Sequence, residues 1–456
     1  MKITSQKSKF TSDYTHALQK ITGDEEILSS AGYTRNLKLK EFLMKFSFPI
    51  IHRLQQDTLA RNSMHLYFDT AWFGVLTGST LSFLAIYAAR IGATSFQIGM
   101  INGAQALVNL GIALPVGLWL ARRPVDKSVF ASAILQRMFY AVLIFLPILF
   151  TQSGEMTAIL VTIFVMSIPG TAVSIGFNAL FADSVPAYHR GRVAGIRNAV
   201  LSITTIAITL ICGQILTLVI FPLNYQIVFG IGFFGAAMST LHLWFVNPAF
   251  PEKHAEEQIK TIPGASGLLK GLLRFDVLQG HFGAKISLLL AFHFVQYLGI
   301  AIFPIYQVSI LKLSDSVISI GNGFFFVIVF FVSMRLEGLT GKYGYKNILG
   351  AGIVLLTLYP AVLSMSHEPV LFYVACAMGG IAWGLAGGAL YNYILESAPP
   401  GGRAGFLAWY NLVFNAGILL GSLGGPLLAN LTNYNIALWI VAAVRLAAGL
   451  ALLRWG

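Results

Sequence analysis

Charged residues and cysteines are scarce in this chain. Charged residues make up 11% of its 456 residues, whereas a soluble protein has about 25%. Hydrophobic residues make up 56%, and the mean hydropathy is +0.73. The two cysteines, Cys212 and Cys376, lie inside apolar runs, which indicates buried thiols rather than a disulfide framework or a zinc site. This composition predicts a polytopic membrane protein.

Signals for secretion, nucleotide binding and catalysis are also missing from the sequence. Its N-terminal stretch is polar and amphipathic, so we expect no signal peptide. Residues 264–270 have the wrong spacing for a phosphate-binding loop, and the dinucleotide-like glycines of 230–235 lie inside an apolar run with no strand before them. No spacing of His, Cys or carboxylates suits a metal, and no nucleophile comes with a base and an orienting acid. We therefore predict no cofactor, no metal and no enzymatic activity.

The positive charge of the chain is not concentrated in one segment. The net charge is +12, but the basic residues are distributed over many short loops. That distribution suits the anionic inner face of a membrane better than a nucleic-acid groove. We expect membrane lipid, and no nucleic acid, among the partners.

Twelve apolar runs are long enough to cross a membrane, which takes roughly 20 residues. The predicted spans are about 66–89, 96–120, 129–151, 157–182, 196–220, 226–247, 286–309, 317–336, 348–365, 371–395, 406–430 and 436–453. A long polar segment separates the first six from the last six, and we interpret it as a flexible central linker. The fold class is therefore all-α.

The loops between these spans alternate in charge. One set carries most of the basic residues, namely Arg122, Arg123, Lys127, Arg190, Arg192, Lys342, Lys346 and Arg403, and the opposite set holds little beyond Arg90 and Lys312. Because basic loops stay in the cytosol, the first set predicts the cytosolic face. An even number of spans then places both termini and the linker on that face. We expect an integral protein of the cell (inner) membrane.

One loop occurs twice. The order acid, Ser, Pro, Arg and Asn appears as Asp183, Ser184, Pro186, Arg190 and Asn198, and again 213 positions later as Glu396, Ser397, Pro399, Arg403 and Asn411. In both copies a helix is expected to end at the acid, since proline prevents its continuation. The repeat predicts two homologous halves, each with this loop at its cytosolic rim.

Twelve spans in two sixes with a cytosolic linker resemble the major facilitator superfamily of secondary transporters, over about residues 60–456. The loop after span two is similar to the signature of that family: Gly117 and Arg122 match, Ala121 stands where the family has Asp, and Asp126 is a candidate replacement. The resemblance implies two pseudo-symmetric six-helix bundles. The predicted domains are a cytosolic N-terminal segment (1–61), an N-terminal bundle (62–247), the linker (248–284) and a C-terminal bundle (285–456).

Residues 36–46 of the N-terminal segment have apolar side chains at helical spacing, with lysines mostly elsewhere. The pattern favours an amphipathic helix that lies on the membrane surface. A helix packed on the cytosolic end of the bundle fits it equally well.

Gating is assigned to the basic loops, because they lie where the two halves must separate. The candidates are Gly117, Arg122, Asp126, Asp183, Arg190, Arg192, Glu396 and Arg403. An acid at a helix C-terminus opposes the helix dipole, so Asp183 and Glu396 should have cationic partners. Such a pair would be a latch that forms when the cytosolic side closes, or a static rim salt bridge.

Charges inside apolar spans are costly and therefore functional candidates. Asp69 lies one or two turns into the first span and is our candidate for proton coupling; the alternative is a helix-end acid paired with a base such as Arg197. Arg137 and Arg445 lie near the middle of the third and twelfth spans. The family resemblance makes those spans supports, so we interpret both arginines as buried structural partners rather than ligands.

Amides and aromatic residues in the other spans are the candidates for solute binding: Asn102, Gln105, Asn109, Asn178, His293, Gln296, Tyr297, Tyr391, Asn392, Trp409, Asn411 and Asn415. Gln105 and Asn109 share a helix face, as do His293, Gln296 and Tyr297. Either a water-filled cavity or interhelical hydrogen bonding would explain them.

These features predict a secondary active transporter that moves a small molecule by alternating access, with protons as the candidate coupling ion. Few fixed cations would reach the cavity, so a neutral or amphipathic solute is favoured over an anionic one. The alternative is a transporter-like membrane sensor or scaffold without solute flux.

Overall fold

The computed structural model describes residues 58–150, 152–249, 278, 281–398 and 403–456. The chain divides into two compact units, Met1–Arg61 and Asn62–Gly456, and the packing and the site described below belong to the second. The predicted surface helix at 36–46 and most of the predicted linker lie outside the described residues. The domain boundaries taken from the sequence stay a prediction.

The regular structure of the described residues is helical. The α-helices are Thr58–Leu76, Ser82–Arg90, Ser95–Ala121, Val125–Leu149, Gln152–Ser184, Ala187–Leu218, Leu223–Trp244, His281–Ile300, Ile302–Ile305, Asp315–Leu355, Leu358–Ser364, Pro369–Ser397, Arg403–Leu431 and Tyr434–Trp455, and π-helical turns occupy Thr77–Leu81 and Tyr306–Ile310. We number the spans in chain order. Span 1 includes the first π-helical turn and runs to Arg90, and span 7 includes the second and ends at Ile310.

Spans 8 and 9 share one long helical stretch that is broken at Gly344. Among the described residues, eleven helices are long and apolar enough to cross a membrane, and one of them, Asp315–Ser364, has 50 residues. An α-helix of that length would measure about 75 Å, more than twice the roughly 30 Å of a bilayer core. Gly344 has φ 77° and ψ 156°, a conformation that is essentially reserved for glycine. Span 8 therefore ends before Gly344 and span 9 follows it, which confirms the prediction of twelve spans.

The repeated loop marks equivalent helix ends in the two halves. The helix of span 4 ends at Ser184 and that of span 10 ends at Ser397, the two serines of the repeat. Pro186 then occupies the N-cap of the span 5 helix, and its ring prevents the span 4 helix from continuing through this position. The prediction that proline separates these helices is confirmed for Pro186, whereas Pro399 lies outside the described residues.

Helix packing within each half follows a related scheme. In the first half, span 4 packs on spans 2 and 3, span 6 packs on span 3, and the π-helical turn of span 1 packs on spans 5 and 6. In the second half, span 10 packs on the helix of spans 8 and 9, and span 7 packs on spans 11 and 12. The predicted architecture of two pseudo-symmetric six-helix bundles is confirmed.

The most extensive contacts between the halves run along two pairs of helices, span 2 with span 11 and span 5 with span 8, and span 1 also contacts span 7. Small residues allow the close approach: a Cβ at Gly99 would collide with the carbonyl oxygen of Ser422, and one at Gly213 would collide with the Ser319 side chain. These glycines lie toward the end of the spans that carries Arg90. We call it the Arg90 end, and the opposite end, with Arg122 and Arg190, the basic end.

Candidate functional site

A cavity of about 430 Å³ lies between spans of both halves. Its lining comes from spans 1, 7, 8, 9, 10 and 12, and consists of Thr77, Leu81, Ser82, Gln296, Ile300, Phe303, Asn322, Phe325, Phe326, Leu356, Tyr359, Cys376, Gly379, Trp383 and Arg445. A volume of this size is typical of small-molecule sites, which range over about 300–1,000 Å³. Most of the lining belongs to the second half, and span 1 closes the cavity from the first.

Aromatic rings form much of the cavity wall. Phe303 and Tyr359 meet edge to face with ring centroids 4.8 Å apart, and Phe325 and Phe326 do so at 5.3 Å. The Tyr359 hydroxyl accepts a hydrogen bond of 3.1 Å from Gln307 Nε2, which holds that ring in place. The wall is therefore a rigid surface of ring faces and edges.

Two side-chain amides at the cavity have no partner within the described part of the chain. Gln296 and Asn322 both line it, and the Oε1 of Gln296 is buried without a hydrogen bond among these residues. The hydroxyls of Thr77 and Ser82 donate to the carbonyl oxygens of Phe73 (2.9 Å) and Thr77 (2.7 Å). These two hydroxyls can only accept from a solute, whereas the two amides can both donate and accept.

Arg445 is the charged residue at this cavity. Its side chain is buried (2% exposed), and it donates to the carbonyl oxygens of Val295 (3.3 Å), Gln296 (2.9 Å) and Leu356 (3.2 Å). Its guanidinium carbon also lies 5.5 Å from the centre of the Phe303 ring. Arg445 thus ties span 12 to spans 7 and 9, which agrees with the interpretation as a structural partner.

Arg137 plays a similar part in the first half. It is buried and donates to the carbonyl oxygen of Ala236 (3.2 Å) and to the hydroxyl of Ser239 (3.3 Å), which ties span 3 to span 6. Among the described residues, each half thus has a buried arginine near the middle of a span, and its hydrogen bonds run to neighbouring helices.

Asp69 belongs to a polar cluster inside the first half. It lies 3.7 Å from Arg197 in an ion pair and accepts a 2.7 Å hydrogen bond from Ser239, the serine that Arg137 also contacts. Arg197 in turn donates to Thr70 Oγ1 (2.7 Å) and lies over the Phe177 ring. The ion pair with Arg197 is the one that the sequence offered as the alternative to proton coupling; Asp69 is not part of the cavity lining.

A chain of hydrogen bonds connects the halves near the middle of the spans. Asn109 of span 2 donates to Asn415 of span 11 at 3.0 Å and accepts from Thr171 of span 4 at 2.5 Å. Asn415 also donates to Asn411. Three of the predicted solute-binding residues thus come together in an interhelical network.

The other predicted binding residues lie in several places. His293 is buried and bonds to Tyr410 at 3.2 Å; Asn178 donates to the carbonyl oxygen of Ser174. Gln105, Tyr391 and Asn392 are exposed, Asn102 and Tyr297 are half-buried, and Trp409 lines a separate pocket with Leu278 and Val413. Of the twelve candidates, Gln296 is among the residues that line the 430 Å³ cavity.

The predicted gating residues lie near the basic end. Arg190 donates to the carbonyl oxygens of Ala182 (2.7 Å) and Val185 (3.0 Å), and so caps the C-terminus of span 4. Asp126 lies in the first turn of span 3, where an acid complements the helix dipole. The remaining candidates are half-buried (Gly117, Asp183) or exposed (Arg122, Arg192, Glu396), and the side chain of Arg403 lies outside the described residues.

Sequence reasoning missed the polar contacts at the Arg90 end. Arg90 forms an ion pair of 2.9 Å with Asp315 and donates to the carbonyl oxygen of Leu313 at 2.5 Å, which joins span 1 to the start of span 8. Nearby, Tyr87 donates to the buried carboxylate of Glu155. The signal was the isolation of Arg90 among loops with few charges, since a lone cation there needs a partner.

Comparison with known proteins identifies the family and the fold. The model of the Major Facilitator Superfamily matches residues 70–415 and, in a second match, residues 289–456. No curated protein gave a significant sequence match. The nucleoside transporter NupG (16% identity, TM-score 0.61) covers 86% of this chain and 98% of its own. The xylose transporter XylE from E. coli (15% identity, TM-score 0.64) aligns over 87% of this chain and 96% of its own. The peptide transporter POT (14% identity, TM-score 0.61) aligns over 86% of this chain and 94% of its own.

Proposed function

Because the chain belongs to the Major Facilitator Superfamily, we propose that it is a secondary active transporter that moves a small solute across the membrane by alternating access. The two bundles rock about the cavity, which is exposed to one side at a time. The cavity itself is the observation that carries the proposal: it lies between helices of both halves and includes two amides without partners among the described residues.

The contacts between the halves support the alternating-access part of the proposal. The Arg90–Asp315 ion pair and the glycine contacts at Gly99 and Gly213 lie toward the Arg90 end. We infer that the structure represents the state closed at that end. From the distribution of basic loops in the sequence, we propose that the protein lies in the cell (inner) membrane, with its basic end and both termini facing the cytosol. Asp183, Arg190, Glu396 and Arg403 are then candidates for the cytosolic latch.

Proton coupling through Asp69 is part of this proposal. The residue is buried, pairs with Arg197 and accepts from Ser239, which Arg137 also contacts, and a structurally similar protein is a D-xylose–proton symporter. In proteoliposomes, Asp69→Asn should abolish uptake driven by a pH gradient while leaving exchange of solute without a gradient within about threefold. Equal loss of both activities would show that Asp69 only maintains the fold through Arg197.

The decisive test of transport is flux. Purified protein in liposomes should accumulate one or more solutes from a panel of neutral, cationic and anionic compounds, and covalent closure of the Arg90 end should stop that flux. No flux for any solute, together with no solute-dependent change in accessibility at either end, would contradict the proposal.

A sensor or scaffold without flux is the second candidate. The departures from the family signature, with Ala121 at the position of its acid, and the N-terminal segment of 1–61 favour it. Deleting residues 1–57 leaves the described helix from Thr58 intact. A transporter should keep its flux after the deletion, whereas a scaffold should lose its partner.

A further inference from the structure

We propose that the cavity takes a neutral solute with a flat ring whose edge carries a hydrogen-bond donor beside an acceptor, as a lactam does. The inference rests on the proposed transport function, because it names the solute class of the same cavity. Three properties of the lining carry it: its rings, its two amides and its charge.

The rings of the lining favour a flat solute. Phe303, Tyr359 and Trp383 come from spans 7, 9 and 10 and face one space, and the edge-to-face packing of Phe303 on Tyr359 fixes two of them. Gly379 lies between these elements, and a Cβ there would come within 2.8 Å of the Tyr359 ring. Without a side chain at Gly379, the Tyr359 ring can pack directly against span 10, which holds that ring in the cavity wall. A planar ring buries its faces well on such a surface, whereas a free sugar has no flat apolar face to place there.

The amides of the lining favour a solute edge with both kinds of hydrogen-bonding group. A carboxamide presents a carbonyl acceptor and an N–H donor side by side, so its best partner is another amide-like edge in the opposite order. Gln296 and Asn322 offer two such groups, and neither side-chain amide bonds to another residue in the described part of the chain. A solute edge that lacked the donor would leave the buried Gln296 oxygen without a partner.

The charges of the lining favour a neutral solute. No carboxylate is among the described residues that line the cavity, so a cation would find no counter-charge there. The positive charge of Arg445, which lines the cavity, would also repel it. An anion would face the acceptor-only hydroxyls of Thr77 and Ser82. The guanidinium of Arg445 already donates to three carbonyl oxygens, and its reorientation toward an anion would break those bonds.

Ligand binding to the purified full-length protein tests the proposal. The probes are uridine and inosine, which carry a flat lactam ring; dihydrouridine, whose ring is puckered; N3-methyluridine, whose edge lacks the donor; and uridine monophosphate, an anion. Uridine or inosine should bind measurably by calorimetry. If uridine binds, each of its three altered forms should bind at least tenfold more weakly than uridine. If inosine binds, N1-methylinosine and inosine monophosphate should bind at least tenfold more weakly than inosine.

Variants separate the roles of the lining. Gln296→Leu and Trp383→Ala should each weaken binding at least tenfold, and Trp383→Phe should stay within about threefold because it keeps a ring. Trp439→Ala is the matched control, since Trp439 lies on span 12 with 47% of its surface exposed and outside the cavity lining; its affinity should be unchanged. A Trp439→Ala effect as large as that of Trp383→Ala would contradict the assignment.

The same experiments distinguish this inference from the proposed function. Failure of both uridine and inosine to bind, equal binding of the monophosphates, or binding of xylose or dialanine in their place would overturn the solute class. If one of these other compounds is transported in liposomes, the transport proposal still stands. Binding of the ring compounds with no flux of any solute would support the solute class and contradict transport.

Discussion

Arg445 shows how a single buried residue can connect three spans without an acid. Its guanidinium reaches carbonyl oxygens of Val295, Gln296 and Leu356, so its charge is met by peptide dipoles. The planar fork of arginine is what allows several directed bonds at once. A lysine would carry the same charge but not the same geometry. The role of Arg445 is therefore geometric as much as electrostatic.

Replacement of Arg445 by Lys should lower the stability of the second half. We expect a loss of about 1–3 kcal/mol, because buried carbonyl oxygens would lose their donors. Thermal unfolding in detergent measures it. Arg454→Lys is the control, since Arg454 is exposed at the end of the same helix, and it should change the melting temperature little. An Arg445→Lys variant as stable as the parent would show that the three bonds are dispensable.

Among the elements, the helix of spans 8 and 9 shows what hydropathy can and cannot predict. The sequence placed spans at 317–336 and 348–365, and both exist as helix. The basic stretch between them was expected to be a loop, but it is helical up to Gly344, where the backbone turns. Apolar length predicts the membrane crossings, whereas the extent of helix beyond the bilayer depends on local propensity and on one glycine.

Replacement of Gly344 by Ala should destabilise this helix pair by about 1–3 kcal/mol, since a side chain is strained at φ 77°. Gly341→Ala is the matched control: it lies three residues earlier with a helical backbone and open space around its Cβ position. There alanine should be neutral or stabilise by up to about 1 kcal/mol. Equal effects of the two substitutions on the unfolding midpoint would contradict the strain argument.

The candidate site was harder to predict than the spans. Polarity identified Asn109, Asn415 and Gln296, but an amide in a membrane helix can bond to another helix or to a solute, and the first two bond to each other. Aromatic lining residues such as Phe303 and Phe325 cannot be distinguished in the sequence from aromatic residues that face lipid, because both kinds occur in apolar runs. Only the packing of six spans around one space separates them.

At the scale of the whole molecule, the contacts between the halves determine which end is closed. Arg90 and Asp315 are partly buried and joined at 2.9 Å, and they come from different halves. Breaking one partner of such a pair leaves a charge without its counter-ion, which destabilises the arrangement that buried it. The pair should therefore favour the state closed at the Arg90 end.

Removal of the Arg90–Asp315 pair should shift the population toward the state open at that end. In a background without Cys212 and Cys376, Gly103→Cys should react with a membrane-impermeant thiol reagent several-fold faster in Asp315→Asn than in the parent. Gly103 lies on the same helix as Gly99, and a Cβ there makes only ordinary contacts with Leu419 and Ser422. The charge-reversed double variant, Arg90→Asp with Asp315→Arg, should restore part of the protection. No acceleration in Asp315→Asn would mean that the glycine contacts alone close this end.

The most direct measurement of the central claim is the distance between spin labels on the two halves. One label would be placed at Phe96 of span 2 and the other at Leu427 of span 11, both exposed near the Arg90 end. Alternating access predicts two distance populations whose ratio changes with transported solute and shifts to the longer distance in Asp315→Asn. A single distance that neither solute nor Asp315→Asn alters would contradict the account.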